Sequence, residues 1–187
     1  MAKRLDPSIR HVACIGLMGA GKTVVGRLVA TELGWPFVDV DDEVEARTGT
    51  SVAALYAAGG EDAYRPLERQ IVLETLAASG PTVLAAPGGV AVDDAARAAI
   101  AALDVAAVYL RADPSTLAER VERDTDHPRP LLGEDPEAAL RQMFLERDAI
   151  YRSLADIEVQ VDAREPGEVA ELVLDAFTGG SSPPSLP

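Results

Sequence analysis

Cysteine is almost absent: the 187 residues hold one, Cys14. That excludes an intrachain disulfide and a thiolate metal cluster. Its place inside the apolar run 11–15 suggests a small buried hydrophobe. Aromatic residues make up only 4% of the chain, so aliphatic and alanine packing must build the core. Lysine is nearly missing too, with Lys3 and Lys22 set against 15 arginines. The net charge of −14 leaves no basic footprint for nucleic acid and would be repelled by an anionic membrane. No run approaches the roughly 18 apolar residues of a membrane span, and Met1 to Asp6 lack the apolar stretch of a secretory leader. The expectation is a soluble, cytoplasmic protein. No internal repeat is visible.

Hydrophobic residues make up 48% of the chain, enough for a core, and the length suits one α/β domain. Short apolar segments at 11–15, 37–40, 82–86, 105–110 and 157–161 read as strands. Between them lie helical patterns at 22–33, 42–47, 52–58, 62–79, 93–103, 114–123, 136–154 and 166–177. Gly34, Gly49 and Gly59-Gly60 serve as helix stops. Strands alternating with helices predict a parallel sheet covered on both faces, with ligands at the carboxyl ends of the strands. The expected domain covers 10–177, preceded by a flexible segment 1–9 and followed by a disordered Gly/Ser/Pro-rich tail 178–187. The stretch 124–134 lacks apolar periodicity and reads as a mobile loop.

Residues Gly16-Leu17-Met18-Gly19-Ala20-Gly21-Lys22-Thr23 match G-x-x-x-x-G-K-[ST] in full, between a strand and a helix. Successive backbone N–H groups in such a loop form an anion cradle, and the helix dipole adds to it. Lys22 would reach the β- and γ-phosphates, and the Thr23 hydroxyl would ligate Mg²⁺. ATP and Mg²⁺ are the expected ligands.

Asp39 and Asp41 stand two residues apart at the end of the second strand. In extended chain they would point the same way, one placing the metal and the other accepting a proton from an attacking hydroxyl. Asp42 suits a helix start; the plain alternative is that all three acids cap a solvated turn. Arg65, Arg129, Arg147 and Arg152 could recognise carboxylate or phosphate through their planar forks. Any one of them could equally be solvated surface, as could Arg120 and Arg123. Pro128 and Pro130 stiffen the loop around Arg129. Gly88 and Gly89 permit close backbone approach to a substrate oxygen, or make an ordinary strand-to-helix turn.

In this order the motifs resemble the shikimate kinase family over about residues 10–177. The matching segments are the loop 16–23, Asp39-Val40-Asp41, Tyr64-Arg65-Pro66-Leu67-Glu68, Pro87-Gly88-Gly89, Arg129-Pro130-Leu131-Leu132, and Arg147 ahead of Tyr151-Arg152. The resemblance implies a nucleoside-monophosphate-kinase-like α/β fold: a five-stranded parallel sheet in a three-layer sandwich with a mobile lid at about 124–134. It implies transfer of the ATP γ-phosphate to the 3-hydroxyl of shikimate, with a substrate-binding region at about 39–68. Asp41 would hold the ring hydroxyls and act as base, and Asp39 would serve near the Mg²⁺. Arg65 and Arg147 would clamp the carboxylate, with Gly88 and Gly89 lining the same pocket. Arg129 would meet the transferring phosphate. Gly19, Ala20, Gly21, Lys22, Thr23 and Val24 would hold the nucleotide, and Arg120 would stack on adenine opposite Pro166. A monomer is expected.

The chain departs from the family at Pro87, which replaces the first glycine of a triple and lacks its N–H. The stretch from Arg120 to Arg129 also looks about two residues longer than usual by eye, which makes Arg123 the substitute for Arg120. A kinase of a related polyol acid or cyclitol and an inactive ligand-sensing relative remain alternatives. A sensor of this kind would follow a helix-turn-helix segment, which the short stretch before the first strand does not suggest.

Overall fold

The computed structural model describes residues 8–124, 132–133 and 135–177. Five strands form one parallel sheet: β1 (His11–Ile15), β2 (Phe37–Asp39), β3 (Thr82–Ala85), β4 (Val105–Arg111) and β5 (Ile157–Gln160), in the order β2-β3-β1-β4-β5. β1 is central and fully buried, paired through His11↔Thr82 on one side and His11↔Val105 on the other. Strands buried on both faces are largely apolar, as β1 is after His11 and β4 is before Arg111.

Among the described residues seven α-helices flank the sheet: α1 (Lys22–Leu33), α2 (Val40–Thr48), α3 (Val52–Ala77), α4 (Asp94–Ile100), α5 (Pro114–Arg123), α6 (Pro136–Leu154) and α7 (Pro166–Phe177). A short 3₁₀ turn at Gly88–Ala91 follows β3. From β1 the chain crosses over β3 to the edge strand β2, and every later crossover runs the other way. Right-handed connections therefore put α1 on one face and α3, α4 and α6 on the other. The last helix, α7, returns to pack against α1. The chain reverses direction across the sheet beside β1, so the loop after β1 opens onto the crevice at the strands' carboxyl ends.

Most elements follow the sequence pattern. In α1, Val25, Val29 and Leu33 face the core and Gly34 terminates the helix in the left-handed conformation; Leu28 is exposed. The 52–58 and 62–79 helices join into one long α3 that breaks direction at Gly60 (φ 63°, ψ −154°). The alanine-rich helix ends early at Ile100, leaving Leu103 in solvent.

One expectation is corrected. The helix expected at 42–47 starts at Val40, because Asp39 caps it: its carboxylate accepts from the Asp41 N–H at 3.0 Å. Asp41 thus lies in the first turn of α2, not in extended chain, and alternation along a strand does not relate it to Asp39. Asp41, Asp42 and Glu43 there complement the helix dipole. Pro87 has a φ of −70°, the value proline prefers, so the ring enters this turn without strain.

Candidate active site

The carboxyl ends of the strands frame one large cleft of about 740 Å³. Its first wall is the loop from Gly16 to Gly21. Gly19 (φ 79°) and Gly21 (φ 88°) take left-handed conformations that favour glycine, and a side chain on Gly19 would meet the Leu117 carbonyl at 2.9 Å. With this curvature the backbone N–H groups and the start of α1 can face one point. Lys22 Nζ donates to the Leu17 carbonyl at 2.9 Å, folded onto the loop it serves. Beneath it, burial pushes the Cys14 thiol up to about 12, with Lys22 pulling the other way, so Cys14 is an inert core residue as expected.

The second wall joins the loop to α2. Thr23 Oγ1 donates to Asp39 Oδ2 at 2.6 Å, while Asp39 Oδ1 holds the Asp41 N–H. Burial raises the Asp39 pKa; the Thr23 hydrogen bond opposes this, and the Asp41 and Asp42 carboxylates reinforce it. A hydroxyl and a carboxylate crowded by further acids make a hard-oxygen site that a small divalent cation would relieve. Among the described residues no group of three or more His, Cys, Asp or Glu could hold a metal alone.

The third wall is built by α3, the glycine turn and α6. Arg65 Nη1 donates to both oxygens of Glu68, at 2.9 and 2.8 Å, and Arg65 Nε to Glu61 at 3.2 Å. Glu68 also accepts the Gly89 N–H. Burial works against the charged form of Arg65, but Glu68 outweighs it and raises the guanidinium's pKa. Gly89 is fixed by contact: a methyl group there would lie 2.0 Å from Arg65 Nη1. From α6, the Arg147 Nη1 and the Tyr151 hydroxyl both donate to the Gly88 carbonyl, at 3.3 and 2.8 Å. Arg147 is 9% exposed, and its buried Nε has no hydrogen-bond partner among the described residues. A buried guanidinium without a full set of acceptors is a place for an anion.

Of the expected site residues, Gly19, Gly21, Lys22, Thr23, Val24, Asp39, Asp41, Arg65, Gly88, Gly89, Arg120 and Arg147 all line this cleft. Ala20 is in the loop but buried behind it, and Pro166 opens α7 without lining the cleft. Arg120 reaches the carbonyls of Val161 (2.7 Å) and Gly19 (3.4 Å), whereas Arg123 extends into solvent beside Glu119. Arg120 therefore lines the cleft and Arg123 does not. Arg129 and the expected lid lie outside the described residues, apart from Asp124 and 132–133. Arg152 points away from the cleft, to Asp148 and Glu158.

Sequence reasoning gave no role to Tyr56, Tyr64 or Glu68, which also line the cleft. Glu68 was detectable as a carboxylate one helical turn after Arg65. Tyr64 was visible only as the aromatic of the Tyr64-Arg65-Pro66-Leu67-Glu68 segment, and Tyr56 carried no signal.

Comparison with known proteins agrees with this geometry. The family described as shikimate kinase matches residues 18–178. A shikimate kinase of Thermobifida fusca is 43% identical, covering 85% of this chain and 90% of its own. One of Pseudomonas entomophila is 40% identical over 89% of this chain and 95% of the relative. Among solved structures, the shikimate kinase of Acinetobacter baumannii in complex with shikimate superposes with a TM-score of 0.83 at 31% identity, covering 90% of this chain and 96% of that one.

Proposed function

The chain belongs to the shikimate kinase family and is an ATP-dependent kinase, and from that premise we propose that it transfers the γ-phosphate of ATP to the 3-hydroxyl of shikimate. The observation that carries the acceptor's class is Arg147: a guanidinium buried at the end of the cleft, short of acceptors, beside Arg65 and the glycine turn. Two such forks facing a cleft suit a carboxylate. The acids at 39 and 41 and the phosphate loop line the same cleft, so a small hydroxylated carboxylate held there can reach both sets of groups.

In this reading the acceptor's carboxylate lies between Arg65 and Arg147, and its reacting hydroxyl meets Asp41. Asp41 takes the hydroxyl proton as the acceptor oxygen bonds to the γ-phosphorus. The bond from that phosphorus to the β-bridging oxygen breaks, and ADP leaves. Lys22 leaves the Leu17 carbonyl for the phosphate oxygens and neutralises the charge that spreads in the transition state. Mg²⁺, held by Thr23 and through Asp39, would supply further neutralisation of the phosphates. Arg120 would cover the adenine, and Arg129 would bring a further cation to the transferring group. A lid over 124–134 would exclude water and limit idle ATP hydrolysis. The domain spans 10–177 and acts as a cytoplasmic monomer in this proposal.

The test is ADP formation from Mg-ATP with and without shikimate. A rate far above the ATP-only background is expected. No stimulation by shikimate, or stimulation only by another polyol, overturns the substrate assignment.

A further inference from the structure

Tyr64 lies one residue before Arg65 on α3 and is 3% exposed. Its hydroxyl donates a hydrogen bond to Asp41 Oδ1. The ring packs on Tyr56, with centroids 5.0 Å apart at 38°. Burial, and then the nearby carboxylates of Asp41 and Glu68, push the phenol's pKa well above its ordinary value, so it stays protonated and remains a donor.

An aspartate carboxylate turns easily about its last bond. The Asp39 cap fixes the backbone of Asp41 but not that rotation. Tyr64, held rigid in the core, fixes it from across the α2–α3 interface. We propose that Tyr64 is a positioning residue for phosphoryl transfer: its hydroxyl holds the Asp41 carboxylate in the orientation that receives the acceptor's proton. This rests on Asp41 being the proton acceptor. It gives the aromatic residue of the Tyr64-Arg65-x-x-Glu68 segment a polar task besides packing. Misorientation of a reacting group by a fraction of an ångström is costly, because near-attack geometry carries much of the catalytic advantage.

The experiment uses the full chain with Tyr64→Phe, which removes the hydroxyl and keeps the ring. The expected result is a fall in kcat of about tenfold, equivalent to ~1.4 kcal/mol. The KM for ATP should change less than about twofold. Unchanged kcat overturns the inference. A structural role would weaken shikimate binding whatever stands at 41, so Tyr64→Phe is repeated in an Asp41→Ala background. There it should alter the shikimate dissociation constant by less than about twofold, against several-fold in the native background. Equal effects in both backgrounds overturn it too. If the native protein shows no shikimate-dependent turnover, the proposed function fails on its own account. Thermal melts of the same four proteins then decide: Tyr64→Phe should lower Tm by a few degrees with Asp41 present and by under about one degree without it, and equal shifts refute the link.

Discussion

Replacing Gly89 by alanine tests whether the glycine turn and the Arg65–Glu68 pair are one unit. Gly89 follows the strand β3 and hands its N–H to Glu68. A methyl group built on it would sit 2.0 Å from Arg65 Nη1 and 2.4 and 2.7 Å from the two Glu68 oxygens. No carbon approaches nitrogen or oxygen so closely, so either the ion pair separates or the turn retreats. The Glu68 side chain is only 5% exposed, so separation leaves a carboxylate charged and unpaired in the interior. Breaking a buried pair in this way costs about 3–5 kcal/mol. For a chain of this length each kcal/mol lowers Tm by about 2–4 °C, so the loss is roughly 6–20 °C. Gly88→Ala is the internal reference. There a methyl group meets nothing nearer than the Tyr151 hydroxyl at 3.6 Å, an ordinary contact. The assay is thermal denaturation of both variants, with shikimate affinity measured alongside by calorimetry. Gly89→Ala should melt far below Gly88→Ala and bind shikimate more weakly, because Arg65 is displaced with its partner. Melting within about 2 °C of each other would refute the reasoning.

Asp41→Asn keeps shape and removes the base; kcat should fall by about two to four orders of magnitude while ADP affinity, measured by calorimetry, stays near normal. Arg120→Ala should raise the KM for ATP about tenfold, since Arg120 spans the Gly19 and Val161 carbonyls, whereas Arg123→Ala should leave steady-state kinetics unaltered. Arg65→Leu should show a pH-dependent loss of stability. Burial holds the Glu68 pKa above the ordinary 4.5, with Arg65 pulling it down. A carboxyl raised in the folded state favours folding below the unfolded value and loses that advantage as pH rises through the folded one. Without Arg65 the folded value climbs further, so melts should show a larger deficit at about pH 8 than at about pH 5.

Much of this was legible in the sequence because the signals are local. The phosphate loop is contiguous, and its glycines and Lys22-Thr23 announce their own backbone and chemistry. The break at Gly59-Gly60 was readable for the same reason. The acids after β2 were legible as a pair but not in their geometry. Extended chain and helix N-cap both suit Asp39, and the cap prevailed because α2 begins one residue later. Arg120 and Arg123 share a helix and a charge. Only the docking of α5 near the 161–162 loop shows that one turns inward. Glu68, Tyr64 and Tyr151 depend on contacts across elements: α3 on the glycine turn, α3 on α2, and α6 on Gly88. The Arg65–Glu68 spacing shows that pair, but no spacing within one segment shows the contacts between elements.

Asp39 uses one carboxylate oxygen on Thr23, at the start of α1, and the other on the Asp41 N–H, at the start of α2. The starts of α1 and α2 therefore share an atom-to-atom tie. In the proposed function, any ligand that draws Thr23 toward a phosphate or a metal pulls on the cap that sets Asp41. Any ligand that seats against Asp41 pulls back through the same carboxylate. Linkage makes such a relation reciprocal: whatever factor the nucleotide applies to the acceptor's affinity, the acceptor must apply to the nucleotide's. In the proposed function the two affinities would then be coupled through a single side chain, whichever ligand binds first.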